Sequence, residues 1–192
     1  MRKRSFLVLM LAVFVAGDAL AQSPDLNAVL AAAEEESSPV IRQALQTAKG
    51  AEIRIEYRAV KSDRKITDSL KSDAEIRSHF NKNYLWKLAE TQTNASLYSE
   101  GISIPAGKFW LGFITTGYDW YVVLTNEQGQ RIVEELVSVL GSDVSVSRLV
   151  MSIEPGDGSN DAVLVVRYGT GVVRLPFTIG DPVSAGSGSR AK

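Results

Sequence analysis

The pattern of hydrophobic and polar positions changes its period several times along the chain. The clearest segment is "EIRIEYRAV" (52–60), in which Ile53, Ile55 and Tyr57 alternate with charged residues. Successive side chains of a strand point to opposite faces of its sheet, so this alternation is typical of a strand with one buried and one solvated face. We therefore predict a strand over residues 52–60.

A second segment, "SIPAGKFWLGFITTGYDWYVVLTN" (103–126), contains two apolar, aromatic runs separated by a Thr-Thr-Gly link. A Pro-Ala-Gly turn precedes the first run. The short link predicts an antiparallel hairpin formed by residues 108–115 and 118–126. The alternation within each run assigns one face of the hairpin to the core, and that face contains Phe109, Leu111, Phe113, Trp120, Val122 and Leu124.

The opposite face of the same hairpin is also apolar, although an antiparallel sheet commonly leaves one face to water. We expect an amphipathic helix to cover Trp110 and Tyr121 on this face. The alternative is an exposed patch that binds a ligand or partner. The residues of this candidate interaction surface are Trp86, Lys87, Trp110, Ile114, Tyr121 and Val123.

Two segments follow a helical period and supply candidates for the covering helix. Residues 38–49 begin with Ser38 as a helix N-cap and Pro39 at the first helical position, and Gly50 follows as a stop. Residues 129–141 place five aliphatic residues on one side of a helix. A shorter helix is predicted from Ser72 or Asp73 to Phe80, and a weaker one over residues 22–36.

The remaining apolar runs predict further short strands. They cover residues 84–90, 94–100, 143–155, 161–169 and 171–180, and turns are expected at "GDGSN" (156–160) and at Gly169-Thr170-Gly171. About seven to eight strands with turns at close spacing predict an antiparallel β-sandwich with one to three accessory helices. The predicted organisation is a helical segment (22–49), the sandwich domain (50–180) and a disordered tail (181–192).

The amino terminus has the layout of a secretory signal peptide. Basic residues at positions 2–4 precede an apolar run over 6–17, and Ala19-Leu20-Ala21 is a small-x-small cleavage site. The run is shorter than the roughly 20 residues that a membrane span needs, so no stable span is expected after cleavage. We predict cleavage after Ala21 and a periplasmic or secreted bacterial protein.

Three segments together resemble the bacterial secreted family known as domain of unknown function 2911. They are "IRIEY" (53–57), "LWKLAETQTNASLYSEGISIPAGKFWLGFITTGYDWYVVLTN" (85–126) and "VLVVRYGTGVVRLPFTI" (163–179). The resemblance implies a β-sandwich and export, and it implies no established activity. The chain departs from the family where Trp86-Lys87 replaces a Trp-Arg pair and where residues 91–94 carry an amide in place of the family's acid.

Composition excludes several kinds of chemistry. The chain has no cysteine and one histidine, His79, which excludes thiol catalysis, thiolate metal sites and sites with two imidazoles. The formal net charge is −1, with mixed signs, so nothing indicates a nucleic-acid partner. Without disulfides, an ordinary hydrophobic core must hold the fold.

No constellation of residues predicts catalysis, a metal or a cofactor. Glu34-Glu35-Glu36 and Glu134-Glu135 are adjacent acids that we assign to solvated helix faces, because paired-carboxylate hydrolases need two acids facing each other across a cleft. The oxygen donors of 154–162 lack the spacing of a calcium loop and predict a plain hairpin turn. His79 is assigned to the surface or to a helix cap.

These observations predict a non-catalytic binding or interaction module of the bacterial periplasm or cell envelope, whose partner is an unidentified envelope ligand or protein. Two alternatives stay open. One is a hydrolase or lyase that acts on envelope carbohydrate or lipid through carboxylates, and the other is a structural envelope protein. Two acids facing each other in a cleft would favour the enzyme, and an aromatic patch without such acids would favour binding.

Overall fold

The structure, a computed structural model, describes residues 38–183 and consists mainly of β-strands. Ten strands form two sheets in which all neighbouring strands are antiparallel, as predicted for a β-sandwich. The strands are β1 (Val40–Gln46), β2 (Glu52–Arg58), β3 (Ala89–Thr93), β4 (Ala95–Ser99), β5 (Ile102–Ile104), β6 (Gly107–Thr115), β7 (Trp120–Asn126), β8 (Arg131–Val137), β9 (Leu140–Pro155) and β10 (Asp161–Pro182).

The larger sheet has six strands in the order β1-β2-β3-β6-β7-β8, and the smaller has four in the order β5-β4-β10-β9. The inner faces of both sheets supply one hydrophobic core. Its fully covered members include Ile55, Phe109, Leu111, Met151 and Ile179. Burial of these side chains stabilises the fold in place of the disulfides that the chain lacks.

Two helices and a turn lie between β2 and β3. They are α1 (Arg64–Ser72), α2 (Ala74–Asn83) and a 3₁₀ turn (Leu85–Lys87). Asp63 caps α1 by accepting a hydrogen bond from the Lys65 amide, and Asp73 caps α2 by accepting from Glu75 and Ile76. These caps satisfy amides at each helix start that have no partner within the helix. The prediction of a short helix after Asp73 is confirmed, whereas α1 was not predicted.

The prediction of a helix over residues 38–49 is wrong, because this segment forms β1 and pairs with β2 along its whole length. Ile41, Gln43 and Leu45 point towards the interior. Gln43 hides the alternation, since it is a polar residue on an inward-facing position. Its side chain donates to the Met151 carbonyl at 2.9 Å and accepts from the Ile153 amide at 3.4 Å, which compensates for its burial.

The prediction of a helix over residues 129–141 is also wrong, because the segment forms β8 and the start of β9. Val133 and Val137 face inward, while Ile132 and Leu136 are exposed on the other side. Apolar residues four positions apart share a face in a helix and also in a strand. Here the β-branched residues favour the strand.

Two further boundaries differ from those predicted. Gly169-Thr170-Gly171 does not form a hairpin turn, because β10 runs through it and its register against β9 shifts there. Such an irregularity lets a long strand bend without ending. Residues 84–90 contain the 3₁₀ turn before β3 begins at Ala89. The predicted hairpin turn at 156–160 is confirmed, with the Gly156 amide donating to the Asp161 carbonyl at 2.7 Å.

The sandwich begins earlier and ends later than predicted, since β1 lies before residue 50 and β10 includes Asp181 and Pro182. The predicted signal peptide (1–21), the helix over 22–36 with its glutamates, and most of the predicted tail lie outside the described residues. Within 38–183, neither helix has the length and apolar character needed to span a bilayer.

Candidate binding site

The outer face of the β6–β7 hairpin is covered by residues 74–87, not by either of the segments predicted to cover it. The 3₁₀ turn lies across β6, and α2 packs beside it. The Asn81 side chain fixes α2 to the end of β6, since it donates to the Thr115 carbonyl at 2.8 Å and accepts from the Thr115 amide at 3.0 Å. A helical element covers this face, as expected, but it comes from a different part of the chain.

Gly112 makes this close approach possible. A Cβ atom placed on Gly112 would lie only 2.2 Å from the carbonyl carbon of Trp86 and 2.4 Å from the carbonyl oxygen of Leu85. The backbone of the turn therefore occupies the space in which any other residue would place its side chain. Val123, the cross-strand neighbour of Gly112, is completely buried as a result.

The six residues of the candidate interaction surface thus have different environments. Val123 is inaccessible and cannot contribute to a surface. Trp86, Trp110, Ile114 and Tyr121 are half-buried, and Lys87 is exposed. The Lys87 ammonium lies 4.3 Å from the ring centre of Trp86 and 4.8 Å from that of Trp110, so it forms cation–π contacts with both rings. Both aromatic rings therefore already contact a cation of the same chain.

A different site lies between the two sheets. The core contains an apolar cavity of about 90 Å³, lined on one side by the larger sheet and on the other by the smaller. Its walls are almost entirely hydrocarbon, from residues such as Ile55, Leu97, Phe109, Leu111 and Leu164. One water molecule needs roughly 10–15 Å³ of such volume, and an engineered apolar cavity of about 150 Å³ binds benzene. The cavity is therefore large enough for a small apolar group.

The cavity reaches the surface where β5 of one sheet lies beside β8 of the other. The partly exposed residues there are Ser99, Ile102, Glu135 and Pro176, which we call the mouth. The opposite side of the sandwich is closed by Gln43, whose side chain bridges β1 to β9. The two sheets thus contact each other at both edges, and Gln43 adds hydrogen bonds at the β1–β9 edge.

The hydroxyl of one lining residue has no partner. The hydroxyl of Thr91, a lining residue that is 4% exposed, makes no hydrogen bond within residues 38–183. A buried polar group without a partner costs roughly 1–3 kcal/mol. Two other buried hydroxyls in the described part, those of Ser38 and Thr125, share this state but do not line the cavity. Thr91 therefore carries an unpaired hydroxyl in an otherwise apolar interior.

One charged residue lines the cavity. Glu135 is half-buried on the inner face of β8, with Val122 as its cross-strand neighbour on β7. The assignment of Glu134 and Glu135 to one solvated helix face is wrong, since the strand points them to opposite sides. Glu134 is exposed and pairs with Arg131 at 2.6 Å. Within the described residues, Glu135 has no ion pair or hydrogen bond.

The groups whose pKa is displaced lie away from the cavity. A side-chain hydrogen bond from Arg42 lowers the pKa of Glu56, and a hydrogen bond to Glu90 raises the pKa of Lys108. Both pairs lie on the outer face of the larger sheet. Burial raises the pKa of Tyr168, whose hydroxyl bonds to the backbone near Asp63. These shifts are explained by local ion pairs and burial, and they do not indicate a tuned acid–base pair.

A second, open groove of about 430 Å³ lies between α2 and the outer face of the larger sheet, where Ile114 of β6 and Arg131 of β8 line it. Arg77, Lys82 and Arg131 line it, which makes it basic. However, Arg77 donates to the carbonyls of Leu70 and Lys71, and Arg131 pairs with Glu134. Because two of the three cations already have partners, the groove is a weaker candidate than the cavity.

The other candidates from the sequence have structural explanations. In the 154–162 turn, both carboxylate oxygens of Asp161 are used, one by the Gly158 amide and one by the Thr178 hydroxyl. His79 is half-buried on α2 and packs against Phe80 and Tyr84. Residues 38–183 contain no group of three or more acids and histidines positioned to hold a metal ion.

No protein-family model, curated protein or solved structure matches this chain. The cavity therefore has to be interpreted from its own residues. Sequence reasoning identified many of its lining residues as core and missed the cavity itself, along with Thr91 and Glu135. The inward position of Glu135 could have been found only by assigning residues 131–137 to a strand.

Proposed function

We propose that this protein is an exported, non-catalytic binding module of the bacterial cell envelope, and that its ligand inserts an apolar group between the two sheets. The observation that carries the proposal is the apolar cavity with its open mouth between the two sheets. Apolar pockets with a few placed polar groups are the usual form of small-ligand sites. We also propose that the chain is related to family 2911 and that it carries a signal peptide.

The cavity supports binding better than hydrolysis. Hydrolysis of a glycosidic bond by a carboxylate mechanism needs two acids on opposite sides of the bond. Glu135 is the single carboxylate among the residues that line the cavity. A bound apolar group would also gain free energy from the hydrocarbon walls without any chemical step.

A homologous series of straight-chain alcohols, from butanol to decanol, tests the proposal. Calorimetric titration of the purified protein should show affinity rising about fourfold with each methylene, equivalent to the roughly 0.8 kcal/mol gained per buried methylene. The rise should stop once the cavity is filled. Absence of binding across the series would contradict the proposal.

A pair of variants locates the binding. Val133→Phe places a larger side chain on a lining position, whereas Val144→Phe makes the same change on an exposed position of β9. We expect Val133→Phe to abolish alcohol binding and Val144→Phe to leave it unchanged. Thermal melts check that both fold, and Val133→Leu replaces the first variant if it does not. Equal binding by both variants would place the alcohols elsewhere.

Export is tested separately by intact-mass measurement of the protein recovered from the bacterial periplasm. Signal peptidase reads small residues such as Ala19 and Ala21 before the cleavage point. The mature chain should therefore begin at Gln22. A mass that retains residues 1–21 would contradict this part of the proposal.

A further inference from the structure

We propose that the cavity selects ligands in which the apolar group carries a cationic ammonium, with Glu135 as the carboxylate that recognises it. This inference rests on the proposed function and specifies its ligand class. The ligand would be a small alkylamine, with its hydrocarbon end between the sheets and its charged end at the mouth.

Glu135 is placed next to apolar residues. It lies on the inner face of β8, and its cross-strand row continues through Val122 to Phe113, both of which are buried. A carboxylate next to such apolar neighbours loses part of its hydration, so a charge-assisted hydrogen bond there is stronger than at an open surface. The position favours a cationic group that can approach from the mouth.

Glu135 is the one group left unengaged among the polar side chains at the mouth. Ser99, the other such group, donates its hydroxyl to the Pro176 carbonyl at 2.8 Å. The residues that line the cavity include no lysine and no arginine. A ligand carboxylate would therefore meet a like charge at the mouth and no cation to offset it.

The size and polarity of the cavity limit which ligands can enter it. A cavity of about 90 Å³ with hydrocarbon walls accepts a few carbon atoms, which must enter ahead of the charge. A lysine side chain of a protein partner has the opposite order, since its ammonium is at the tip and its peptide backbone is at the base. The geometry thus favours a small amphiphilic amine over a lysine-bearing peptide.

There is an alternative explanation for Glu135. A charged residue that points inward from an edge strand protects a sheet against edge-to-edge association, and β8 is an edge strand. In that case Glu135→Gln would increase self-association and would not change the choice of ligand. The two roles therefore predict different results for the same variant.

The experiment compares hexylammonium, hexanol and hexanoate on the purified protein by calorimetric titration. We expect hexylammonium to bind at least about tenfold more tightly than hexanoate, with hexanol between them, and added salt to reduce the difference. Glu135→Gln should bring the ratio of the two charged ligands close to one. Glu134→Gln removes the same charge from the opposite face of β8 and should leave the ratio unchanged. Nα-acetyl-lysinamide should not bind.

The outcomes separate this inference from the proposed function. If hexanol binds but the charged ligands bind equally, or if Glu135→Gln leaves the ratio unchanged, the ammonium preference is wrong and the apolar site stands. If Nα-acetyl-lysinamide binds as well as hexylammonium, the ligand is not a small amine. If hexanol does not bind, the proposed function itself fails.

Discussion

The two faces of the β6–β7 hairpin are both apolar, yet they are covered in different ways. On the outer face, the backbone of the 3₁₀ turn lies directly against Gly112 and leaves Val123 completely inaccessible. On the inner face, large side chains of two sheets meet and enclose a cavity. The close contact depends on a residue without a side chain. The cavity lies among these large side chains, and its mouth is at the edge opposite the Gln43 bridge.

Among the substitutions predicted here, Gly112→Val should reduce the stability of the protein most. Its side chain would occupy the position of the Trp86 main chain, which cannot move as a flexible side chain would. We expect the free energy of unfolding to fall by about 3 kcal/mol or more, which is the top of the range for overpacked cores or above it.

The matched control is Gly141→Val on β9, where nothing lies within 4 Å of an added Cβ atom. It should change the stability by less than about 0.5 kcal/mol. Urea unfolding measures both variants. A small loss for Gly112→Val would mean that the turn does not press on β6.

Trp120→Ala tests the residue that connects the two regions, since Trp120 packs against both the main core and the cluster formed by α1 and α2. The side chain is half-buried, so we expect a loss of about 3 kcal/mol, the lower end for large aromatic truncations. Tyr118→Ala, at a residue 92% exposed in the same hairpin, is the control and should be nearly neutral. A loss below about 1 kcal/mol for Trp120→Ala would contradict this packing.

The strict alternation of residues 52–58 predicted β2, and two apolar runs with a short link predicted the hairpin, because each pattern fits a strand and is too short or too regular for a helix. Prediction from the sequence failed for β1, where inward Gln43 interrupts the alternation and Ser38-Pro39 imitate a helix start. It failed for β8 because the spacing of Ile132 and Leu136 fits a helix as well as a strand. The cavity could not be predicted, because it depends on the separation of two sheets whose contacts form between residues distant in sequence.

Trp110→Ala should cost about 1–2 kcal/mol. This is less than for Trp120→Ala, because both side chains are half-buried but only Trp120 packs against the two hydrophobic clusters of the described residues. Part of this loss is the contact with Lys87, which Lys87→Met removes while keeping an unbranched stem. That variant should lose about 0.5–1 kcal/mol, the usual size of an exposed cation–π contact. Neither change should alter alcohol binding. Altered binding would move the functional site from the inner to the outer face.

Thr91→Val should have a small effect, and it should increase stability. Thr91 and Thr93 lie on the same face of β3 and are equally buried, but their hydroxyls differ. The Thr93 hydroxyl donates to the Ala95 carbonyl at 2.9 Å and accepts from the Ala95 amide at 3.1 Å, whereas the Thr91 hydroxyl has no partner in the described part of the chain.

Valine keeps the shape of threonine and removes the hydroxyl, so the two substitutions isolate this difference. Thr91→Val removes an unsatisfied group and should gain about 1 kcal/mol, while Thr93→Val breaks two hydrogen bonds and should lose about 1–2 kcal/mol. Thermal melts of the ligand-free protein measure both. If Thr91→Val loses as much as Thr93→Val, the Thr91 hydroxyl is already paired in solution by a fixed water molecule. The opposite signs predicted here are what one unpaired and one paired hydroxyl on the same face of a strand require.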